Sequence, residues 1–124
     1  MSTELTPDRL QQYRATARAR LAEEAAALAE RRARAWELAR EAAALLKHRF
    51  GATRVVVFGS LIHKDMFTLH SDVDIAAWGL RERDWLKAIG AVYDLSAEIP
   101  VNLVDMNLAR PEIAEVIERE GVEL

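Results

Sequence analysis

The chain has 124 residues, of which 51% are hydrophobic and 30% are charged, so it can bury the core of one domain and wholesale disorder is excluded. Its net charge of −3 argues against a sequence-independent nucleic-acid binder, which needs a clustered basic surface. The lack of cysteine excludes disulfides and thiolate metal sites, and because neither a membrane-spanning run nor a secretory signal is visible, we expect a cytoplasmic protein.

The first predicted element is a long helix within residues 1–50. Thr6 is a good N-cap, Pro7 suits the first helical position, and Asp8 is favourable in the first turn. Neither Gly nor Pro follows until Gly51, and the strong helix formers Ala, Leu, Glu and Arg dominate. The sequence therefore predicts a helix of about 40 residues, roughly 60 Å long, in which a kink or break is possible.

This helix is too long for the rest of the chain to cover. We therefore divide the chain into a helical arm, residues 1–50, and a domain, residues 51–124. One interpretation of the arm is a solvated, Ala-rich helix without a partner. The other, which we favour, is a surface for self-association or for docking a partner protein, because water would otherwise face several large apolar side chains: Leu10, Tyr13, Leu21, Leu28 and Trp36.

Other polar and aromatic residues have plain structural interpretations. We expect Arg31, Arg32 and Arg34 on a solvated helix face, or in the footprint of an acidic partner. The three tryptophans are expected in the core or at an interface rather than as platforms for stacking bases.

Two apolar runs after Gly51 predict buried strands, Arg54–Phe58 and Val73–Trp78. Side chains two apart on a strand point the same way, so Asp72 and Asp74 place two carboxylates on one face. Two carboxylates at this spacing repel each other. Mg²⁺ is a cation that binds such oxygen ligands together with substrate phosphates. A turn Asp beside a half-exposed strand Asp is the structural alternative.

Gly59-Ser60 directly follows the first strand. Its free N–H groups and hydroxyl suit phosphate oxygens. Ser60 can also cap a short helix over Ser60–Lys64, and the two roles are compatible.

The remaining elements complete the predicted fold. A helix is expected from about Glu82 to Ser96, a third strand over Val101–Val104, and a last helix from Pro111 to about Arg119. The order helix-strand-strand-helix-strand-helix predicts an α/β (α+β) domain, with a small mixed sheet and helices packed on it.

Gly59-Ser60, a spacer, and then Asp72-x-Asp74 resemble the signature of the nucleotidyltransferase (polymerase-beta-like) superfamily in its minimal form. The resemblance covers about Arg54 to the C-terminus. The spacer is one residue longer than usual. The family usually carries a third carboxylate on the last strand, where this chain has Asn102.

The resemblance implies a nucleotidyltransferase that binds ATP with Mg²⁺ and transfers AMP to a hydroxyl. Asp72 and Asp74 would hold Mg²⁺, and Gly59 and Ser60 would contact the β and γ phosphates. The remaining candidates are Ser71 and Lys64 at the nucleotide, Lys64 lying where relatives often carry an Arg, and Asn102 or Asp105 on the acceptor side.

The resemblance also implies a biological role, the antitoxin of a two-component system. Its partner would be an all-helical HEPN-domain ribonuclease toxin, modified on a tyrosine. Neither a membrane nor a direct nucleic-acid partner is expected, and a homo-oligomer could form through the N-terminal helix.

Asn102 weakens the acceptor end of the expected site. An amide can offer a carbonyl oxygen to a metal, but it cannot serve as a general base. Asp105 lies three residues on and faces the other side of a regular strand, so only a bulge would bring it round. The alternative function is therefore a catalytically weakened nucleotide-binding or protein-binding module that neutralises its partner by occlusion.

Overall fold

Helix α1 spans Pro7–Phe50 in the computed structural model, which describes residues 6–124. The Thr6 hydroxyl accepts a hydrogen bond from the Arg9 N–H at 3.2 Å, and Pro7 occupies the first helical turn. Gly51 ends the helix with a φ of 71°, a left-handed conformation that glycine adopts without strain. The long helix is thus confirmed as one uninterrupted element of 44 residues, although residues 1–5 of the predicted arm lie outside the described part.

A four-stranded mixed sheet carries the rest of the domain. The strands are β1 (Arg54–Phe58), β2 (Val73–Trp78), β3 (Val101–Asp105) and the two-residue β4 (Val122–Glu123), in the order β3-β2-β1-β4. β1 is antiparallel to β2 and β4, whereas β2 and β3 are parallel. The predicted mixed sheet is confirmed. β4 was not predicted, because two residues are too few to show a strand pattern.

Helices pack on both faces of this sheet. α1 and α2 (Trp85–Tyr93) share the larger core, which includes Leu38, Leu46, Ile75 and Val92. α3 (Pro111–Glu120) covers the opposite face, where Ile117 packs against Val56 of β1 and its partner Ala76 of β2. The layered α+β arrangement expected from the order of elements is therefore confirmed. α2 is shorter than predicted because residues Glu82–Asp84 form a separate 3-10 turn.

Only the C-terminal part of α1 belongs to the core. Ala35 is its first fully buried residue, and Leu28 packs partly against the same cluster. Residues 7–27, which we call the projecting segment, are exposed, and Tyr13 and Leu21 keep 64% and 65% of their surface in water. Among residues 6–124 no helix has the length and apolar character that crossing a membrane requires.

Candidate active site

Gly59 lies directly after β1, against a carboxylate of β2. The antiparallel register pairs Phe58 with Asp74, so the next residue reaches the start of β2. Gly59 has a φ of 79°, and a Cβ added there would lie 2.6 Å from Asp74 Oδ2. Both the backbone conformation and the close approach therefore require glycine at this position.

Asp72, Asp74 and Asn102 form a cluster at the start of β2 and β3. The parallel register pairs Asp74 with Asn102, and the Asn102 side chain is exposed. The Asn102 amide donates hydrogen bonds to Asp72 Oδ2 at 3.2 Å and to Asp74 Oδ1 at 3.3 Å. The expected one-sided pair of carboxylates is thus present, and Asn102 lies within hydrogen-bond distance of both.

The electrostatics of this cluster favour a cation. Partial burial raises the pKa of Asp74, and the negative charge of Asp72 raises it further, while the hydrogen bond from Asn102 opposes both effects. The net pKa shift is upward. Ionised Asp74 is therefore poorly compensated by the protein itself, and a metal ion between the two carboxylates would relieve the repulsion.

The donor set fits a cation that brings ligands with it. No group of three or more His, Cys, Asp or Glu side chains suited to a metal occurs within residues 6–124. Two carboxylates and one amide do not make a closed metal cage, but Mg²⁺ is commonly bound by one or two carboxylates plus substrate phosphates. The residues present therefore fit Mg²⁺ that arrives with a nucleotide.

The phosphate-side candidates lie in the segment between β1 and β2. Ser60 belongs to a 3-10 turn, Gly59–Ile62, and its carbonyl accepts a hydrogen bond from the His63 N–H. Ser71 immediately precedes Asp72, and its hydroxyl accepts from the Thr68 N–H at 2.9 Å. Lys64 is exposed in the loop after the turn. Ser60 therefore adjoins Gly59 and Ser71 adjoins Asp72, whereas Lys64 lies further out on the loop.

Asp105 is not part of the cluster. β3 pairs with β2 without a bulge, and Asp105 stands opposite Ala77, at the far end from Asn102. Its side chain is 6% exposed, and Oδ1 accepts a hydrogen bond from the Asn107 N–H at 2.9 Å. The regular register considered in the sequence is the one observed, so the structure gives Asp105 a local role at the end of the strand.

Arg31 and Arg32 are not on a solvated face, and the expectation for these two side chains was wrong. Arg31 Nη2 donates to the Ser71 carbonyl at 2.9 Å, and Arg32 Nη2 donates to the Leu61 carbonyl at 3.1 Å. Arg34 is exposed as expected, with Glu37 and Glu41 as its partners. Nothing in the helical sequence signals the two main-chain contacts, because they depend on loops that fold back against α1.

The raised pKa of Asp74 predicts that removing this charge stabilises the metal-free protein. With a folded pKa above the unfolded one, Asp74 lowers stability as pH rises through the interval between them, upward from about pH 4. Asp74→Asn should therefore raise the free energy of unfolding at neutral pH by about 0.5 kcal/mol after solvent screening, or Tm by about 2 °C.

Thermal unfolding from pH 3 to 8 checks this prediction, with the exposed loop variant Asp65→Asn as the control. The advantage of Asp74→Asn should vanish at the acid end and grow with pH. An Asp74→Asn variant less stable than the natural chain at neutral pH would contradict the assigned electrostatics.

Comparisons with known proteins agree with this geometry at the level of fold. No protein-family model and no curated protein matches the chain. A chain of the toxin–antitoxin MntA-HpeT, in mutant form, is similar to it with a TM-score of 0.56 and 22% identity, covering 68% of this chain and 69% of that one. A candidate nucleotidyltransferase from Sulfolobus solfataricus is similar with a TM-score of 0.53 and 21% identity, covering 78% and 85%.

A third solved structure is similar as well. It is a toxin–antitoxin with AMP-PNP, with a TM-score of 0.51 and 20% identity, and the match covers 64% of each chain. The match thus spans less than two thirds of that neighbour. The fold of this chain is that of nucleotidyltransferase-like and toxin–antitoxin structures, as its sequence resemblance implied.

Proposed function

We propose that this chain is a nucleotidyltransferase-type antitoxin of the cytoplasm, which binds ATP with Mg²⁺ and transfers AMP to a hydroxyl of a HEPN-domain ribonuclease toxin, a tyrosine being the expected acceptor. The observation that carries the proposal is the convergence of Gly59, Asp72 and Asp74 where β1 ends and β2 begins. The toxin–antitoxin neighbours, one of them with AMP-PNP, support a toxin partner and a nucleotide ligand.

Each site residue has a distinct role in this proposal. Asp72 and Asp74 would hold Mg²⁺, while Gly59 and Ser60 would bind the β and γ phosphates. Ser71 adjoins Asp72, and Lys64 lies further out on the loop. Mg²⁺ supplies neutralisation of the triphosphate charge and a fixed orientation of its oxygens. Gly59 leaves room for this arrangement, because a side chain there would displace the Asp74 carboxylate.

The transfer forms one bond and breaks one. The acceptor hydroxyl oxygen bonds to the α-phosphorus, the bond from that phosphorus to the bridging oxygen breaks, and pyrophosphate leaves. The hydroxyl proton passes to solvent, because the Asn102 amide at the acceptor side cannot take it. Catalysis thus rests on positioning and charge neutralisation, which a domain of this size can provide.

The second candidate function is a nucleotide-binding or protein-binding module that neutralises its partner by occlusion. The specific observation in its favour is Asn102, whose amide donates to both carboxylates and which stands where the resembled family usually carries a third carboxylate. In this case the chain would bind ATP and the partner without transferring AMP.

ATP labelled at two different phosphorus atoms distinguishes AMP transfer from neutralisation by occlusion. The purified chain and the proposed partner, a HEPN-domain ribonuclease, are incubated with Mg²⁺ and ATP labelled at either the α or the γ phosphorus. AMP transfer predicts label on the partner from α-labelled ATP only. Label from the γ position would indicate phosphoryl transfer instead, and a stable complex without either label would favour occlusion.

The projecting segment is the proposed docking surface for the partner. An apolar stripe runs along one face of α1, because its members are spaced by near-multiples of the helical repeat: Leu10, Ala17, Leu21 and Leu28. This face is continuous with the face of α1 that packs on the core. Residues 7–21 also carry four Arg and a single Asp, in a chain of net charge −3. Two such segments side by side would bring like charges together, so an acidic partner surface fits better than a second copy.

Removing large exposed apolar side chains of the projecting segment should weaken partner capture. Leu10→Ser/Tyr13→Ser/Leu21→Ser leaves the domain intact, since all three side chains are exposed, but removes the apolar contact area. We expect at least a tenfold weaker complex in a pull-down or titration, since each tenfold requires about 1.4 kcal/mol.

Ala19→Ser, on the opposite side of the helix, is the matched control. Sedimentation of the chain alone tests the homo-oligomer. Wild-type capture by the triple variant would show that the segment is only a solvated helix. A concentration-dependent dimer that the triple variant loses would assign the stripe to self-association instead.

A further inference from the structure

Two arginines of α1 are tied to the two ends of the segment between β1 and β2. Arg32 donates to the carbonyl of Leu61, and Arg31 donates to the carbonyl of Ser71. Leu61 directly follows Ser60, and Ser71 directly precedes Asp72. One turn of the long helix therefore contacts the main chain beside both halves of the candidate site.

Both arginine side chains are partly buried where they meet the segment. The Nε atoms of Arg31 and Arg32 are both buried and have no hydrogen-bond partner. The charge-assisted hydrogen bonds to the two carbonyls help to offset the desolvation of the partly buried guanidinium groups.

The rest of the segment depends on few other anchors. Leu61 and Phe67 bury their side chains in the core, while residues 64–66 and 68–70 are exposed. Within the segment, the N–H groups of His63, Met66 and Ser71 bond to carbonyls of the segment itself. His63 Nε2 also lies 3.4 Å from Glu120 Oε2 of α3, and the pairing of β1 with β2 holds the two ends of the segment in the sheet. The arginines add the hydrogen bonds that tie its main chain to α1.

We propose that Arg31 and Arg32 are positioning residues, which hold the Gly59-Ser60 turn and Asp72 at the spacing that a metal-bound nucleotide requires. This inference rests on the proposed function of the site. Neither arginine touches the reacting groups, and each acts through the carbonyl that it contacts. Arg31 and Arg32 lie on the same uninterrupted helix as the projecting segment. The helix that carries the proposed docking surface therefore also contacts the loops of the candidate site.

Arg31→Met/Arg32→Met tests the proposal in the full chain. Methionine keeps an unbranched apolar stem but has no donor, so packing is largely retained. Amide hydrogen exchange should become about tenfold or more faster at the bonded N–H groups of residues 63–71. The affinity for ATP with Mg²⁺ should fall about tenfold as well.

Two further variants separate positioning from general stability. Arg34 lies on the same helix, but its side chain is exposed. Arg34→Met should therefore leave both the exchange rates and the ATP affinity at wild-type values. Arg31→Lys/Arg32→Lys retains a charge and a donor on each side chain, so it should recover part of the affinity.

The exchange and binding measurements together decide the matter. Local acceleration of exchange together with weaker binding supports the proposal. Unchanged exchange, or acceleration spread over β1 and β2 alike, overturns it. Local acceleration with wild-type ATP affinity overturns the link to the site. If the natural chain binds no nucleotide and exchange still rises locally, the arginines do hold the segment and the proposed nucleotide function is what fails.

Discussion

Replacing Asn102 with Asp should accelerate AMP transfer by roughly 10²–10⁴-fold, the range that a positioned general base contributes. The expectation rests on geometry, since the Asn102 amide already lies 3.2 Å from Asp72 Oδ2 and 3.3 Å from Asp74 Oδ1. A carboxylate at this position would share their metal and could take the acceptor proton. The gain belongs to the transition state, so nucleotide affinity should change far less than rate.

Single-turnover transfer from α-labelled ATP to the partner measures this effect. Asp105→Asn is the control, because Asp105 stands three pairs along β3 from Asn102 and bonds to the main chain there. It should leave the transfer rate unchanged. If the natural chain is already fast and Asn102→Asp gains nothing, the acceptor side does not depend on position 102. If neither chain transfers, the occlusion module is the better account.

The Asn102→Asp variant should also be less stable without metal. A third carboxylate adds repulsion to a pair in which the pKa of Asp74 is already raised. Mg²⁺ with ATP should therefore raise the Tm of Asn102→Asp by more than it raises that of the natural chain, because a ligand that binds the folded state more tightly stabilises it more.

Asp72→Asn/Asp74→Asn should lose the Mg²⁺-dependent part of ATP binding. Losing an outer-sphere partner already costs about 10–100-fold in metal affinity, and losing both ligands should cost more. Without Mg²⁺, the double variant should bind ATP at least as well as the natural chain, because two negative charges near the phosphates are gone.

Titration calorimetry with ATP, in the presence and absence of Mg²⁺, separates these contributions. Asp65→Asn removes one charge from the exposed loop between β1 and β2 and serves as the matched control. Identical Mg²⁺-dependent binding by the double variant and the natural chain would place the metal elsewhere.

Local patterns were sufficient to predict most of the fold and the shared face of the two central carboxylates in the candidate site. The period of two along β2 predicted that Asp72 and Asp74 share a face, and the Asn102 hydrogen bonds to both confirm it. Thr6, Pro7 and Gly51 predicted both ends of α1 through cap chemistry, which depends only on neighbouring residues.

Contacts between distant segments could not be predicted in this way. Arg31 and Arg32 belong to a charged stretch that is typical of a solvated helix face, and their carbonyl partners lie 40 and 29 residues away in the chain. β4 has only two residues, too few to show a period, and it forms because α3 returns the chain to β1. The same lack of a local signal applies to the close approach of Gly59 to Asp74.

The most direct test of the site is a crystal structure of the chain with Mn²⁺ and AMP-PNP, read from the anomalous signal of the metal. We predict one Mn²⁺ peak within coordination distance of both Asp72 and Asp74, with the triphosphate over Gly59 and Ser60. A nucleotide bound at another surface, or a Mn²⁺ peak that touches neither carboxylate, would contradict the proposed site.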